Sequence, residues 1–152
     1  MGIRDKLQQI IAIKDSPKKI ALSFAIGVFL GMSPLLGLHT VLGIVFAWLF
    51  RLNKFVTIVG VYVTNPWTII PIYTFATWVG ARILGIDHLI PDVDWNAVTF
   101  TMLMNEMKAI LVPFVFGTTL VGVLSALLGY VVVYHAIVKQ RGKAVAEEKV
   151  IE

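Results

Sequence analysis

Three long runs of this chain carry no charged side chain: 31 residues from Ile20 to Phe50, 27 from Phe55 to Ala81, and 30 from Ala109 to Val138. Each exceeds the roughly 18 to 20 apolar residues that read as a membrane segment. A water-solvated domain of this size interrupts its apolar stretches with charge, because every core element also has a solvated face. The expectation is an all-α integral membrane protein, one membrane domain over 1–152.

Composition agrees, with 58% apolar and 14% charged residues and a mean hydropathy of +0.85. The net charge of +4 and pI near 9.5 would raise nucleic-acid binding in a soluble chain. Here the charges gather at the ends of the apolar runs, where they mark the cytoplasmic side and meet anionic headgroups, so the expected partners are membrane lipids and not nucleic acid. The chain has no cysteine, which removes disulfides, thiolate metal sites and cysteine nucleophiles.

The first run is too long for one crossing and too short for two. Gly31-Met32-Ser33-Pro34 divides it into arms over 20–33 and 35–50. Each arm is about 21 to 24 Å as a helix, against a hydrocarbon core of about 30 Å. A hairpin that enters, turns within the membrane and leaves on the same side fits these lengths. Thr64-Asn65-Pro66 interrupts the second run after ten residues, and Pro71 follows five positions later. Proline lacks the amide hydrogen and biases its predecessor away from the helical region, so Ser33 and Asn65 are natural break points, with a simple kink as the alternative. The expected architecture is a helical bundle with broken or re-entrant helices at Pro34 and Pro66 and an N-terminal interfacial helix. In the last run Pro113 is expected to open a helix that reads from about Phe114 to Ile137.

Residues 1–19 have a balance of +3, with Ile3, Leu7, Ile10 and Ile11 at helical spacing, and are expected to lie on the inner leaflet. Ser16-Pro17 is the expected cap and first residue of the next helix. The linker Arg51 to Lys54 is also basic, residues 82–108 have a balance of −2, and the tail 139–152 carries its positive charges at the membrane edge. This asymmetry predicts both termini and the linker on the cytoplasmic side and 83–107 external. Trp48, Trp78, Tyr130 and Tyr134 fall near run ends, as an aromatic belt does. Gly27-x-x-x-Gly31 and the stripe Thr118, Gly122, Ser125, Ala126 and Gly129 let helix backbones approach, which makes a homo-oligomer an expected partner as well.

Ser and Asn are preferred N-caps and Pro suits the first helical position, so Ser33-Pro34 and Asn65-Pro66 are each expected to start a half-helix inside the bilayer. Two electropositive helix starts facing one another would bind an anion without a charged side chain. The substrate-binding candidates are Ser33, His39, Thr40, Asn65, Trp67, Thr68 and Tyr73. His39 is the ionisable group placed deep in the first run, a functional candidate by default, against a neutral imidazole bonded to a neighbouring helix. Trp67 either stacks on a ligand or fills space at the break. His39, His88 and His135 lack metal-ligand spacing, and no phosphate-binding glycine loop or nucleophile elbow occurs, so no metal, cofactor or enzyme activity is expected. Asp92 and Asp94 read as a solvated turn.

The run Gly31-Met-Ser-Pro-Leu-Leu-Gly37-Leu-His39-Thr40, the Arg51-Leu-Asn53 linker and Asn65-Pro66-Trp-Thr68-Ile-Ile-Pro71-Ile-Tyr73 resemble a bacterial membrane family known as domain of unknown function two-zero-six-two. The resemblance covers roughly 15–135, and Asn-Pro-x-Thr-x-x-Pro-x-Tyr is its most specific part. It implies a prokaryotic inner-membrane protein, with relatives in which the domain is fused to glycosyltransferase domains, and brings no catalytic residues. The expected function is a small transporter or flippase recognising an anionic, phosphate-bearing or lipid-linked substrate at the paired half-helix starts. The alternative is a non-transporting scaffold or accessory subunit of envelope glycan or lipid metabolism.

Overall fold

Ser16 and Pro17 open the first helix: the Ser16 hydroxyl oxygen accepts from the amide of Lys19 at 3.3 Å, and Pro17 occupies the first helical position, where its missing N–H has no partner to lose. The computed structural model describes residues 14–35, 37–86 and 100–151, with side chains of the last helix described over 107–142. Five helices and no strand lie among them. These are α1 (Pro17–Met32), α2 (His39–Leu49), α3 (Lys54–Val61), α4 (Ile69–Leu84) and α5 (Phe100–Ile151).

Both expected breaks are present, after Met32 and after Val61. Ser33 takes an extended backbone, as the residue before a proline must, and α1 stops there. Two bonds then return the chain to its starting level. The Asn53 amide donates to the Ser23 hydroxyl at 2.9 Å, and the Asn53 side-chain amide donates to the Asp15 carboxylate at 2.8 Å. Residues 17–53 therefore form a helical hairpin. α3 leaves from Asn53, whose side chain caps it through Val56 N at 3.1 Å. It runs beside α1 in the same direction, with Gly27 against Thr57 and Gly60, and Gly31 against Val61.

The long α5 is the spine that both halves share. Its later part runs antiparallel to α1: Ile137 joins Ile20 and Val56 in the core, Gly129 lies against Phe24, and Gly122 lies against Met32 and Phe29. Its earlier part carries α4 through a near backbone-on-backbone contact of Gly80 and Ala76 with Pro113 and Gly117. α4 thus packs on the earlier part of α5 and α1 on its later part, while α2 and α3 pack on one another and on α1.

Several expectations are corrected. Ser33 does not start a second half-helix; it ends the first, with its hydroxyl donating to Leu30 O at 2.7 Å. The next helix begins only at His39, behind Leu38 and without a side-chain cap, because Gly37 takes a φ of +83° that no right-handed helix contains. Pro71 sits in the first turn of α4, where amides lack partners anyway. Pro113 does not begin the last helix but lies buried within it, its carbonyl packed on Gly80. The segment expected as a cytoplasmic tail, 139–152, is helical through Ile151. Gly122 and Gly129 of the small-residue stripe are covered by α1 of the same chain, which removes that face from the argument for a homo-oligomer. The interfacial helix expected over 1–19, apart from residues 14–19, and Asp92, Asp94 and His88 lie outside the described residues. One helix among the described residues is long and apolar enough to cross a membrane, over the 36 residues Met107–Gly142; α2 and α4 are apolar but shorter.

Candidate functional site

The two breaks meet at one level of the fold. The end of α1 and the end of α3 are joined by the Gly31–Val61 contact, and Tyr73 of α4 donates its hydroxyl to the Ser33 carbonyl at 2.9 Å. Gly43, one turn beyond His39, packs on Val61 and Ile58, which brings the start of α2 to the end of α3. The structure therefore gathers the segments that carry the sequence-chosen residues.

The turn at Asn65 closes on itself. Its side-chain oxygen accepts from the amides of Trp67 at 2.9 Å and Thr68 at 3.2 Å, and its carbonyl accepts from Ile69 N at 2.9 Å. Thr68 returns the favour, its hydroxyl oxygen accepting from Asn65 N at 2.9 Å and its O–H donating to Val63 O at 3.1 Å. This is a reciprocal capping arrangement with Thr in the place usually held by Glu or Gln. Asn65 thus closes a turn ahead of α4 instead of starting the helix as expected, since α4 begins at Ile69 behind Thr68, and the amides beside it are occupied by its own side chain. Pro66 has no amide to offer. Of the amides expected to attract an anion, those of Trp67, Thr68 and Ile69 are consumed within the chain.

The remaining candidates separate. Ser33, Asn65, Thr68 and Tyr73 have polar atoms engaged in bonds of the chain's own. Trp67 is 90% exposed, so it does not fill space at the break. Thr40 is half-buried. His39 differs from all of these: Nδ1 and Nε2 are both buried, and neither has a hydrogen-bond partner among the described residues.

Thr64 is the residue that sequence reasoning passed over. The residue is 9% exposed, and its buried hydroxyl has no hydrogen-bond partner among the described residues. The signal was available: a threonine at the end of an apolar run, immediately before Asn-Pro, has no capping duty of its own. Buried polar atoms in folded chains are nearly always bonded, because leaving one unsatisfied costs about 1 to 3 kcal/mol. Three such atoms, on the segments that follow the first break and form the second, depart from ordinary packing. His39 offers one donor and one acceptor when neutral and two donors when charged, and Thr64 offers one more donor, a set suited to oxygens of an anionic group. No group of three or more metal-ligating side chains occurs among the described residues.

No curated protein and no solved structure matches the chain. A family model does, over residues 2–145, nearly the full length. The chain belongs to the bacterial family of unknown function described as "Uncharacterized protein conserved in bacteria (DUF2062)".

Proposed function

We propose that this chain is an integral protein of the bacterial inner membrane that takes an anionic, phosphate-bearing or lipid-linked group at the level of its two breaks and moves it, as a small transporter or flippase. The observation that carries the reading is the set of three buried, unpartnered polar atoms on His39 and Thr64. A bound phosphate would accept from both side chains and remove the cost of leaving them unsatisfied. The amides at Asn65 being occupied, recognition falls to side chains instead of to bare helix starts.

Membrane placement is supported by the outward face of α5. In the apolar window of that helix only 22% of residues are buried, and Leu124, Leu127, Leu128 and Val132 face outward. Apolar exposure of that extent suits lipid and not water. The lengths suit the same reading. α1 and α2, at 16 and 11 residues, are about 24 and 16 Å long, which makes the hairpin re-entrant. α3 and α4 in series make one broken crossing, and α5 makes the return. Both termini then lie on the side of the Arg51 to Lys54 linker, the cytoplasmic side by charge. Homo-oligomerisation belongs to this proposal too, with the contact on outward residues such as Leu128, since α1 covers the glycines.

A scaffold role is favoured by a different observation. Ser33, Asn65, Thr68 and Tyr73 spend their polar atoms on holding the breaks together. The two readings separate in liposomes containing the purified chain and a fluorescent phosphatidylglycerol, with exchange between leaflets read by chemical quenching from outside. Transport predicts exchange faster than in empty liposomes and slowed in His39→Leu and Thr64→Val, with melting in detergent unimpaired. Exchange no faster than in empty liposomes, or unchanged in both variants, leaves the scaffold as the better account.

A further inference from the structure

α2 and α4 end in the same way but with different residues at the critical position. At the end of α4, Ile86 N reaches back to Ala81 O at 2.9 Å and Gly85 N to Arg82 O at 3.4 Å, with Gly85 at φ +70°. At the end of α2, Leu52 N reaches Ala47 O at 2.8 Å and Arg51 N reaches Trp48 O at 3.3 Å, with Arg51 at φ +53°. Both are Schellman stops, in which a left-handed residue is required and glycine is the ordinary choice. A residue with a Cβ costs about 1 kcal/mol more there. Arg51 is the one non-glycine residue at positive φ among the described residues, so the guanidinium is kept at a conformational cost.

The guanidinium belongs to a cleft of about 460 Å³ lined by Ala47, Trp48, Leu49, Arg51, Leu52 and Lys54. Two cations therefore share one concavity with an indole that is 70% exposed, and Leu49 and Phe50 beside it also face outward. The cleft lies at the end of the fold that also carries Lys14, Lys18 and Lys139. Asp15 is the sole carboxylate among the residues with described side chains, and it is already engaged by Lys19 at 2.8 Å and by Asn53. Nothing in that set neutralises Arg51 and Lys54 from within the chain.

We propose that this cleft holds the headgroup of an anionic phospholipid of the cytoplasmic leaflet. Arg51 grips the phosphate through paired N–H donors, Lys54 adds a second charge, and the acyl chains continue along the exposed apolar rim of Trp48, Leu49 and Phe50. A free phosphate would use the cations but not the rim. The proposal rests on the membrane reading above, while the site is distinct from His39 and Thr64.

The test uses the full chain in detergent with Trp67, Trp78 and Trp95 changed to Phe, so that Trp48 alone reports. Titration with a short-chain phosphatidylglycerol should shift Trp48 emission saturably, whereas short-chain phosphatidylcholine and inorganic phosphate should bind at least fivefold more weakly. Arg51→Gly and Lys54→Gln should each raise the half-saturation concentration about fivefold, the effect of one cation near an anionic surface. Arg51→Gly should nevertheless melt no lower than its parent, since glycine suits the backbone better. His39→Leu should leave the Trp48 response unchanged, so loss of the transport site and loss of this site are read separately. Equal binding of the two lipids, inorganic phosphate matching phosphatidylglycerol, or wild-type affinity in Arg51→Gly would each overturn the assignment.

Discussion

The hydroxyl of Tyr73 donates to the backbone carbonyl of Ser33 at 2.9 Å, across 40 residues of chain. That carbonyl lies just past the last turn of α1, where helical partners have run out, so the phenol satisfies a group that the break would otherwise strand. The ring meanwhile stands edge-on to Phe114 at 5.1 Å. One side chain thus ties the first break, α4 and α5. Tyr73→Phe keeps the ring contact and removes the bond, for an expected loss of about 0.5 to 1.5 kcal/mol. Tyr73→Ala should lose more. Thermal melting in detergent checks the order wild type, Phe, Ala; a Phe variant melting with wild type would show that the tie contributes nothing.

Glycine contacts set the closest helix approaches and can be ranked. A Cβ on Gly27 would lie 2.9 Å from the Gly60 Cα, and one on Gly117 would lie 3.0 Å from the Gly80 nitrogen, backbone atoms that cannot turn aside. On Gly122 the nearest neighbour is the Met32 Cβ at 3.4 Å, an ordinary contact. Gly27→Ala and Gly117→Ala should each destabilise by about 1 to 3 kcal/mol or more, with Gly122→Ala close to wild type. Equal melting of all three would contradict the packing described.

What the sequence disclosed about this fold follows the range of the signal. Ser16-Pro17, Pro34 and Asn65-Pro66 act on their immediate neighbours, and the cap and both breaks stand where those residues predict. Ser33 misleads because a serine before a proline can close the preceding helix as well as open the next, and Gly37 decides which by taking a left-handed conformation. Pro113 misleads because a proline inside a helix is tolerated when packing compensates, and the packing partner, Gly80, is 33 residues away in sequence. Asn53 was no more than a linker residue by sequence, yet it caps α3 and bonds both Ser23 and Asp15. The candidate site shows the same division. Asn65 was found by its local chemistry, and Thr64 was not, since only the folded chain reveals that its hydroxyl has no partner.

Asp15 links stability to pH. The side-chain bond from Asn53, then that from Lys19, hold its carboxyl below the ordinary value of 3.8, and the charge of Arg141 adds to the effect. A carboxyl depressed in the folded state contributes stability that is fully present above its unfolded value and is lost as pH falls through the folded one. Wild type should therefore melt above Asp15→Asn at neutral pH, with the gap closing below about pH 3.8. Detergent melts between pH 7 and pH 2.5 check this; a gap independent of pH would remove the carboxylate from the account.

Sidedness follows from the hairpin. The proposed membrane placement, with Asn53 bonded to Asp15, predicts that Lys18 and the Arg51 to Lys54 linker share one face of the membrane and that Asn96 is reached from the other. Cysteines placed singly at Lys18 and Asn96 in this cysteine-free chain can be challenged in intact cells with an impermeant thiol reagent. Asn96 should label from outside, and Lys18 only after permeabilisation. The reverse pattern would invert the topology, and labelling of both from outside would remove the re-entrant hairpin.

Thr64 and Thr57 offer an internal control for the candidate site. Both are threonines with at least nine-tenths of their surface buried, but the Thr57 hydroxyl donates to Asn53 O at 3.0 Å while that of Thr64 has no partner. Thr→Val conserves shape and removes the hydroxyl. At Thr57 this deletes a bond and should cost about 0.5 to 1.5 kcal/mol. At Thr64 it deletes only an unsatisfied group, so the variant without ligand should be as stable as wild type or more so, by up to about 1 to 3 kcal/mol. A ligand that uses Thr64 reverses the order, because binding stabilises wild type in proportion to the logarithm of ligand over dissociation constant and stabilises the variant less. Melting curves of both variants, with and without phosphatidylglycerol, therefore separate a hydroxyl kept for binding from one that merely packs. If Thr64→Val falls below wild type in the absence of lipid, the hydroxyl is already satisfied in the fold and the site loses its foundation.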